Sequence, residues 1–226
     1  VSVDIRPIGL HWFFGVNCYL IKTDGGHILI DTGMSRRRRA LEAELQSAGC
    51  VPGELQLIVL THAHGDHAGS CAYLQKEYRA PIAMHSADVD KAKRGDMFWS
   101  PDGLGFSTAV AKALGSLVGL ASFEPFEPDV LLHDGQSLGE YGLDAIALHL
   151  PGHSPGSLGI LCADGEFFCG DLFTNMGRPA KNTLVDDASR LDGSVARLEN
   201  LRIGTIYPGH GAPFPVSALS YSGTFG

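Results

Sequence analysis

The stretch Thr61-His62-Ala63-His64-Gly65-Asp66-His67-Ala68-Gly69 places three imidazoles and one carboxylate within six residues. It directly follows Leu55-Gln56-Leu57-Ile58-Val59-Leu60, an apolar run that reads as a buried strand. A strand end is a rigid place from which to aim side chains. His and Asp supply the nitrogen and oxygen donors that borderline divalent metals such as zinc favour. A polar loop with a helix cap would need neither this density of histidine nor this spacing, because each clustered imidazole must be desolvated and its nitrogens paired.

Three later segments repeat the arrangement. His153 lies in Pro151-Gly152-His153-Ser154-Pro155-Gly156-Ser157, Asp171 in Phe168-Cys169-Gly170-Asp171, and His210 in Tyr207-Pro208-Gly209-His210-Gly211. Each follows a short apolar run and is flanked by Gly or Pro, which end strands in tight turns. Four strand ends thus deliver five His and two Asp, enough donors for two metal ions. Neighbouring cations repel unless an anion lies between them, and Asp171, alone on its strand end, is the natural bridge.

This pattern resembles the metallo-β-lactamase-fold superfamily of metal-dependent hydrolases, and within it the glyoxalase II-like branch. The likeness runs from Asn17 to His210. It implies one metal held by His62, His64 and His153, and a second held by Asp66, His67 and His210. Asp171 and a hydroxide would be shared between them. It also implies that Asp31, in Ile30-Asp31-Thr32-Gly33, orients a ligand histidine through its free ring nitrogen. Asn17, in Val16-Asn17-Cys18-Tyr19, matches a common family position and reads as structural.

Around the motifs, strand and helix signals alternate. A β-hairpin is expected over 16–22 and 26–30, a helix over 36–48, a strand over 55–60, a helix from Asp66 to about Tyr78, and a strand over 81–84. The second half should hold strands near 130–132, 143–150, 157–162, 166–169 and 204–207, with a helix over 188–200. Periodicity alone supports an α/β chain. The resemblance implies an αββα sandwich, two mixed sheets with helices outside, and the metal site at the edge where strand ends meet. At 226 residues the chain suits one domain, 1–226. Residues 95–128 form an insertion rich in large apolar groups, with an apolar helix expected over 109–120. It reads as core cover, as a lid over an apolar pocket, or as a subunit contact in a homodimer.

The net charge of −8 weighs against a nucleic-acid surface. No apolar run approaches the roughly 20 residues needed to span a bilayer. The five scattered cysteines contain no C-x-x-C pair and suggest a reducing compartment, the cytoplasm. Cys169 reads as packing, although an extended strand would put it on the face of Asp171. The run Arg36–Arg39 reads as a solvated helix face paired with Glu42 and Glu44. His11, His27, His85, His133 and His149 lack a ligand pattern. In glyoxalase II relatives a Gly followed by a basic residue contacts the substrate after the bridging Asp. Gly177-Arg178 resembles that pair, and Lys181 lies close by.

Two cations acidify bound water, so hydroxide would be available near neutral pH to attack a carbonyl or phosphoryl centre. Asp66 is placed to accept the proton of the attacking water. The short stretch after His210 leaves no room for the helical domain with which glyoxalase II grips glutathione, so a small thioester, ester or lactone is expected instead. Zinc is the first choice of metal, with iron or manganese compatible. The rival readings are a persulfide dioxygenase-like oxidoreductase, with a single iron on His62, His153 and Asp171, and a non-catalytic metal-binding module.

Overall fold

The computed structural model describes residues 3–10, 15–100 and 121–222, together with Ala113 and Ser116. The chain begins with three antiparallel strands, β1 (Asp4–Leu10), β2 (Val16–Thr23) and β3 (Gly26–Ile30). A 3₁₀ turn over Ser35–Arg37 leads into α1 (Arg38–Ser47), then β4 (Leu55–Val59), the short α2 (Gly65–Ala68), α3 (Cys71–Tyr78), β5 (Ile82–His85) and α4 (Val89–Arg94). β6 (Val130–Leu132) completes a six-stranded sheet in the order β1-β2-β3-β4-β5-β6, parallel from β3 onward.

The second half supplies β7 (Ala145–His149), β8 (Leu158–Cys162), β9 (Glu166–Gly170), the small hairpin of β10 (Phe173–Thr174) and β11 (Ala180–Lys181), α5 (Ala188–Leu198), β12 (Thr205–Pro208) and β13 (Phe214–Pro215). They build a five-stranded mixed sheet in the order β13-β12-β9-β8-β7. β12 runs parallel to β9, and β8 is antiparallel to both β9 and β7.

Strand alternation explains the layering. Tyr19, Ile21, Ile28, Ile30, Leu57 and Val59 face inward to meet Ala147, Leu158, Ile160 and Phe168 between the sheets. Their neighbours Leu20, Leu29 and Ile58 face outward onto Leu41 and Leu45 of α1 and Leu74 and Tyr78 of α3. On the other side Phe167, Cys169 and Ile206 pack against Leu191, Val195 and Leu198 of α5. Helices, sheet, sheet and helix therefore form the four layers expected. Each fully buried Leu or Ile stabilises this core by about 1.5–3 kcal/mol. α5 starts where the Asp187 side chain accepts the Arg190 amide at 3.0 Å, which satisfies one free N–H of the first turn.

Several boundaries differ from the sequence reading. β1 and α4 were not anticipated. The helix expected from Asp66 breaks into α2 and α3 at Gly69-Ser70. Ser35 donates its hydroxyl to the Gly69 carbonyl at 2.7 Å, and the Ser70 amide donates to Thr32 Oγ1 at 3.1 Å. Chain contacts thus replace helical bonds there. Among the described residues, Glu42 and Glu44 find partners outside the arginine run: Glu42 accepts from Tyr73 at 2.7 Å and Glu44 pairs with Arg6 at 2.6 Å, while Arg38 reaches Glu124 at 3.4 Å. The two ends of the 95–128 insertion are joined by an Asp96–Ser122 bridge, and Phe123 and Phe126 are buried in the first core. The helix expected over 109–120 falls outside the described residues, apart from the helical Ala113 and Ser116. His11 lies outside them altogether. Among the described residues no helix is long and apolar enough to cross a membrane. All five cysteines are free and buried.

Candidate metal centre

β3, β4 and β5 run parallel, so their carboxyl ends share one edge of the first sheet. β7, β9 and β12 do the same in the second. Asp31 follows β3, the 61–67 segment follows β4, His153 follows β7, Asp171 follows β9 and His210 follows β12. The seven residues expected as ligands all meet at this edge. His62, His64 and His153 form one cluster and Asp66, His67 and His210 another; within each cluster the candidate donor atoms lie within 4.8 Å of one another. Asp171 lies between the clusters, with Oδ2 3.5 Å from His153 Nε2 and 3.4 Å from His210 Nε2, and Oδ1 3.4 Å from His67 Nε2.

The outer ring nitrogens decide where the inner ones are free. His67 Nδ1–H donates to Asp31 Oδ2 at 2.8 Å, His153 Nδ1–H to the Leu184 carbonyl at 2.6 Å, and His210 Nδ1–H to the Gly15 carbonyl at 2.9 Å. A carboxylate or carbonyl cannot donate, so each of these nitrogens carries the proton. Thr61 donates its hydroxyl to the Asp31 carboxylate at 2.8 Å, which leaves its oxygen to accept from His62 Nδ1 at 3.1 Å. In the neutral rings, four Nε2 lone pairs therefore point inward.

His153 Nε2 stands 3.1 Å from His62 Nε2 and 3.0 Å from His64 Nδ1. Donors about 2.0–2.1 Å from a tetrahedral cation are separated by about 3.3 Å, close to this spacing. His67 Nε2 and Asp171 Oδ1 are buried with no hydrogen-bond partner. Such orphans are costly unless something else satisfies them. The donor set, its spacing and its orphaned atoms all fit divalent cations.

Electrostatics agree. Burial, followed by the neighbouring imidazoles His67, His64 and His153, pushes His62 well below its usual range, and burial with His153 does the same to His64. Burial would raise Asp66 and Asp171, but the adjacent histidines outweigh it and hold both carboxyls well below theirs. Burial would lower His67 and His210, yet Asp171 and the other nearby carboxylates raise both, His210 to about 10. The negative charges of the second cluster thus demand positive charge at its centre, which protons meet when no cation is bound.

The residues around the clusters behave as supports. Asn17 donates its side-chain amide to the Pro208 carbonyl at 3.0 Å and to the Gly211 carbonyl at 2.6 Å, clamping the turn that carries His210. Cys169 and Asp171 do not share a face: Gly170 has φ +51, which turns the chain, so Cys169 packs toward α5 while Asp171 enters the site. Gly177-Arg178 lies between β10 and β11 with Arg178 exposed, whereas Lys181 is ion-paired with Asp192 of α5. His85 and His149 stack on each other, with ring centroids 3.8 Å apart, outside both clusters. Sequence reasoning missed Thr61 and Asp88. Both act through hydrogen bonds to neighbours, and only the position of Thr61 beside His62 offered a signal.

Residues 11–210 match the model of the metallo-beta-lactamase superfamily, and the chain belongs to that family. It is similar to the probable metallo-hydrolase MJ0888 of Methanocaldococcus jannaschii, 28% identical over 94% of this chain and 95% of that one. It is also similar to the acyl-coenzyme A thioesterase MBLAC2 of Bos taurus, 26% identical over 90% of this chain and 75% of the relative. Among solved structures, that of TTHA1623 in a di-iron-bound form superposes with a TM-score of 0.72 at 28% identity, covering 95% of this chain and 96% of that one.

Proposed function

We propose that this chain is a binuclear metal-dependent hydrolase of the glyoxalase II-like branch, acting on a small acyl thioester, ester or lactone. His62, His64 and His153 hold one divalent cation, Asp66, His67 and His210 hold the other, and Asp171 serves both. Zinc is the first expectation, with iron or manganese as alternatives. The observation that carries this reading is the convergence of imidazole and carboxylate donor atoms, with His67 Nε2 and Asp171 Oδ1 buried and without a hydrogen-bond partner. Cations bound there supply Lewis acidity toward a carbonyl and bring the pKa of water near neutrality.

The protein's own residues do the rest. Asp31 fixes the ring of His67, and Thr61 fixes that of His62. The Asp66 carboxylate, held ionised, is placed to take a proton from water at Oδ2, 3.3 Å from His210 Nε2. The segment between Asp171 and α5 exposes Met176 (63%) and Leu184 (79%), and the Leu184 carbonyl receives the His153 ring. These two exposed apolar side chains support an acyl group in the substrate, as does similarity to a thioesterase. Arg178, exposed on this segment, is the better candidate to meet an anionic part of it than Lys181, which is committed to Asp192. A single iron on His62, His153 and Asp171 would leave His64, Asp66, His67 and His210 without a task, so the oxygenase reading is less favoured.

The chain is read as one domain, cytoplasmic, with a small-molecule substrate and no nucleic-acid partner. The 95–128 insertion is read as core cover, as a lid or as a homodimer contact. The test is elemental analysis of protein purified without chelator, paired with hydrolysis assays on acyl thioesters and lactones. About two cations per chain and thioester or lactone cleavage are expected. One iron per chain with no hydrolysis would overturn the reading.

A further inference from the structure

Asp88 ends the 3₁₀ turn after β5 and occupies the N-cap position of α4. An Asp there ordinarily caps its own helix, but this side chain makes no capping bond. It turns instead toward two loops from opposite halves of the chain. Oδ2 accepts the Ala63 amide at 3.1 Å and the Ser154 hydroxyl at 2.8 Å, and Oδ1 accepts the Gly156 amide at 3.0 Å. Ala63 lies between His62 and His64, and Ser154 follows His153. One carboxylate thus ties together the two loops that carry the all-imidazole cluster.

Asp88 is 0% exposed, and among the described residues no cation pairs with it. A buried carboxylate without a countercharge is costly. The cluster it backs consists of three imidazoles and shares the Asp171 carboxylate with the second cluster, which has Asp66 besides. The Asp88 charge is balanced if the charge opposite it is a cation held by His62, His64 and His153. Gly156 fits this arrangement, since a methyl there would come within 2.7 Å of the Asp88 carboxyl carbon.

We infer that Asp88 is the positioning residue of the His62, His64 and His153 site: it fixes the spacing of the two loops and supplies the negative charge behind them. Asp31 plays the corresponding part for His67. The inference rests on the binuclear reading proposed above, and the experiment separates the two. Zinc affinity is measured by competition with a chromophoric chelator in two backgrounds. His210→Ala leaves the all-imidazole cluster intact, and His64→Ala leaves the Asp66 cluster intact. Adding Asp88→Asn should weaken zinc binding by about 10–100-fold in the first background and leave the second unchanged.

Ser154→Ala, which removes one donor and keeps the carboxylate, should give a smaller loss in the first background alone and covers the case in which Asp88→Asn does not fold. Equal losses in both backgrounds, or a lowered melting temperature with zinc affinity unchanged, would reduce Asp88 to a fold strut and overturn the inference. Failure of the otherwise unaltered protein to bind two zinc ions would overturn the binuclear reading itself.

Discussion

His67 donates its Nδ1–H to Asp31 Oδ2 across 2.8 Å, and the same carboxylate accepts the Thr61 amide and hydroxyl. Asp31 holds φ +60, a backbone conformation that is uncommon outside glycine. The fold tolerates that conformation where the carboxylate locks two adjacent positions, the His67 ring and the start of the 61–67 loop. Asp31→Asn keeps the shape but weakens the acceptor. We expect it to lower affinity for the cation of the Asp66, His67 and His210 cluster by about 10–100-fold. Zinc titration checks this, and unchanged affinity would remove Asp31 from the site.

Asp171 is within 3.5 Å of histidine nitrogens in both clusters. Its removal takes away the negative charge that lets two cations sit close together. Asp171→Ala is expected to bind one cation where the parent binds two and to lose most hydrolytic activity. Elemental analysis and a thioester assay on the same sample check it. Two retained cations and near-normal turnover would refute the bridging role.

The strength of the sequence reading lay in residues that contribute their own side-chain donors. His62, His64, Asp66, His67, His153, Asp171 and His210 stand at strand ends in a pattern that packing alone does not require, and the structure brings all seven together. Asp88 was illegible because two of its three partners are backbone amides, which every residue carries. β1 was hidden by Pro7, which normally argues against a strand. It is tolerated here because β1 is an edge strand paired with β2 alone. The break at Gly69 was hidden for a related reason: it depends on a contact with Ser35, remote in sequence.

Gly209 precedes His210 where the chain passes closest to the cluster. A methyl group there would overlap Asp171 Oδ1 and His67 Cε1. Neither atom can retreat without leaving the site. Gly209→Ala should cost about 1–3 kcal/mol through overpacking and reduce cation loading. Gly193, inside α5 where an added methyl would face open space, is the control. Gly193→Ala should stabilise by about 0.5–1 kcal/mol with loading unchanged. Paired melting curves and metal analyses test both, and equal behaviour of the two variants would contradict the close approach at Gly209.

The stacked pair His85 and His149 yields a prediction about pH. Their rings lie 3.8 Å apart at 10°. Burial first, then the His149 charge, holds His85 below its usual range; His133 acts in the same direction, and Asp88 and Asp134 oppose it. Its Nδ1 also accepts the Ala87 amide at 3.2 Å, a bond that a protonated ring cannot make. The unfolded chain therefore takes up this proton more readily than the folded one. The stability contributed by neutral His85 is complete above its unfolded value of about 6.5 and is lost as pH falls below it. His85→Phe keeps a flat ring against His149 and removes the titration. The melting temperature of the variant relative to the parent should therefore rise as pH drops from about 8 to about 5. Parallel pH profiles for the two proteins would show that the folded and unfolded chains protonate His85 alike.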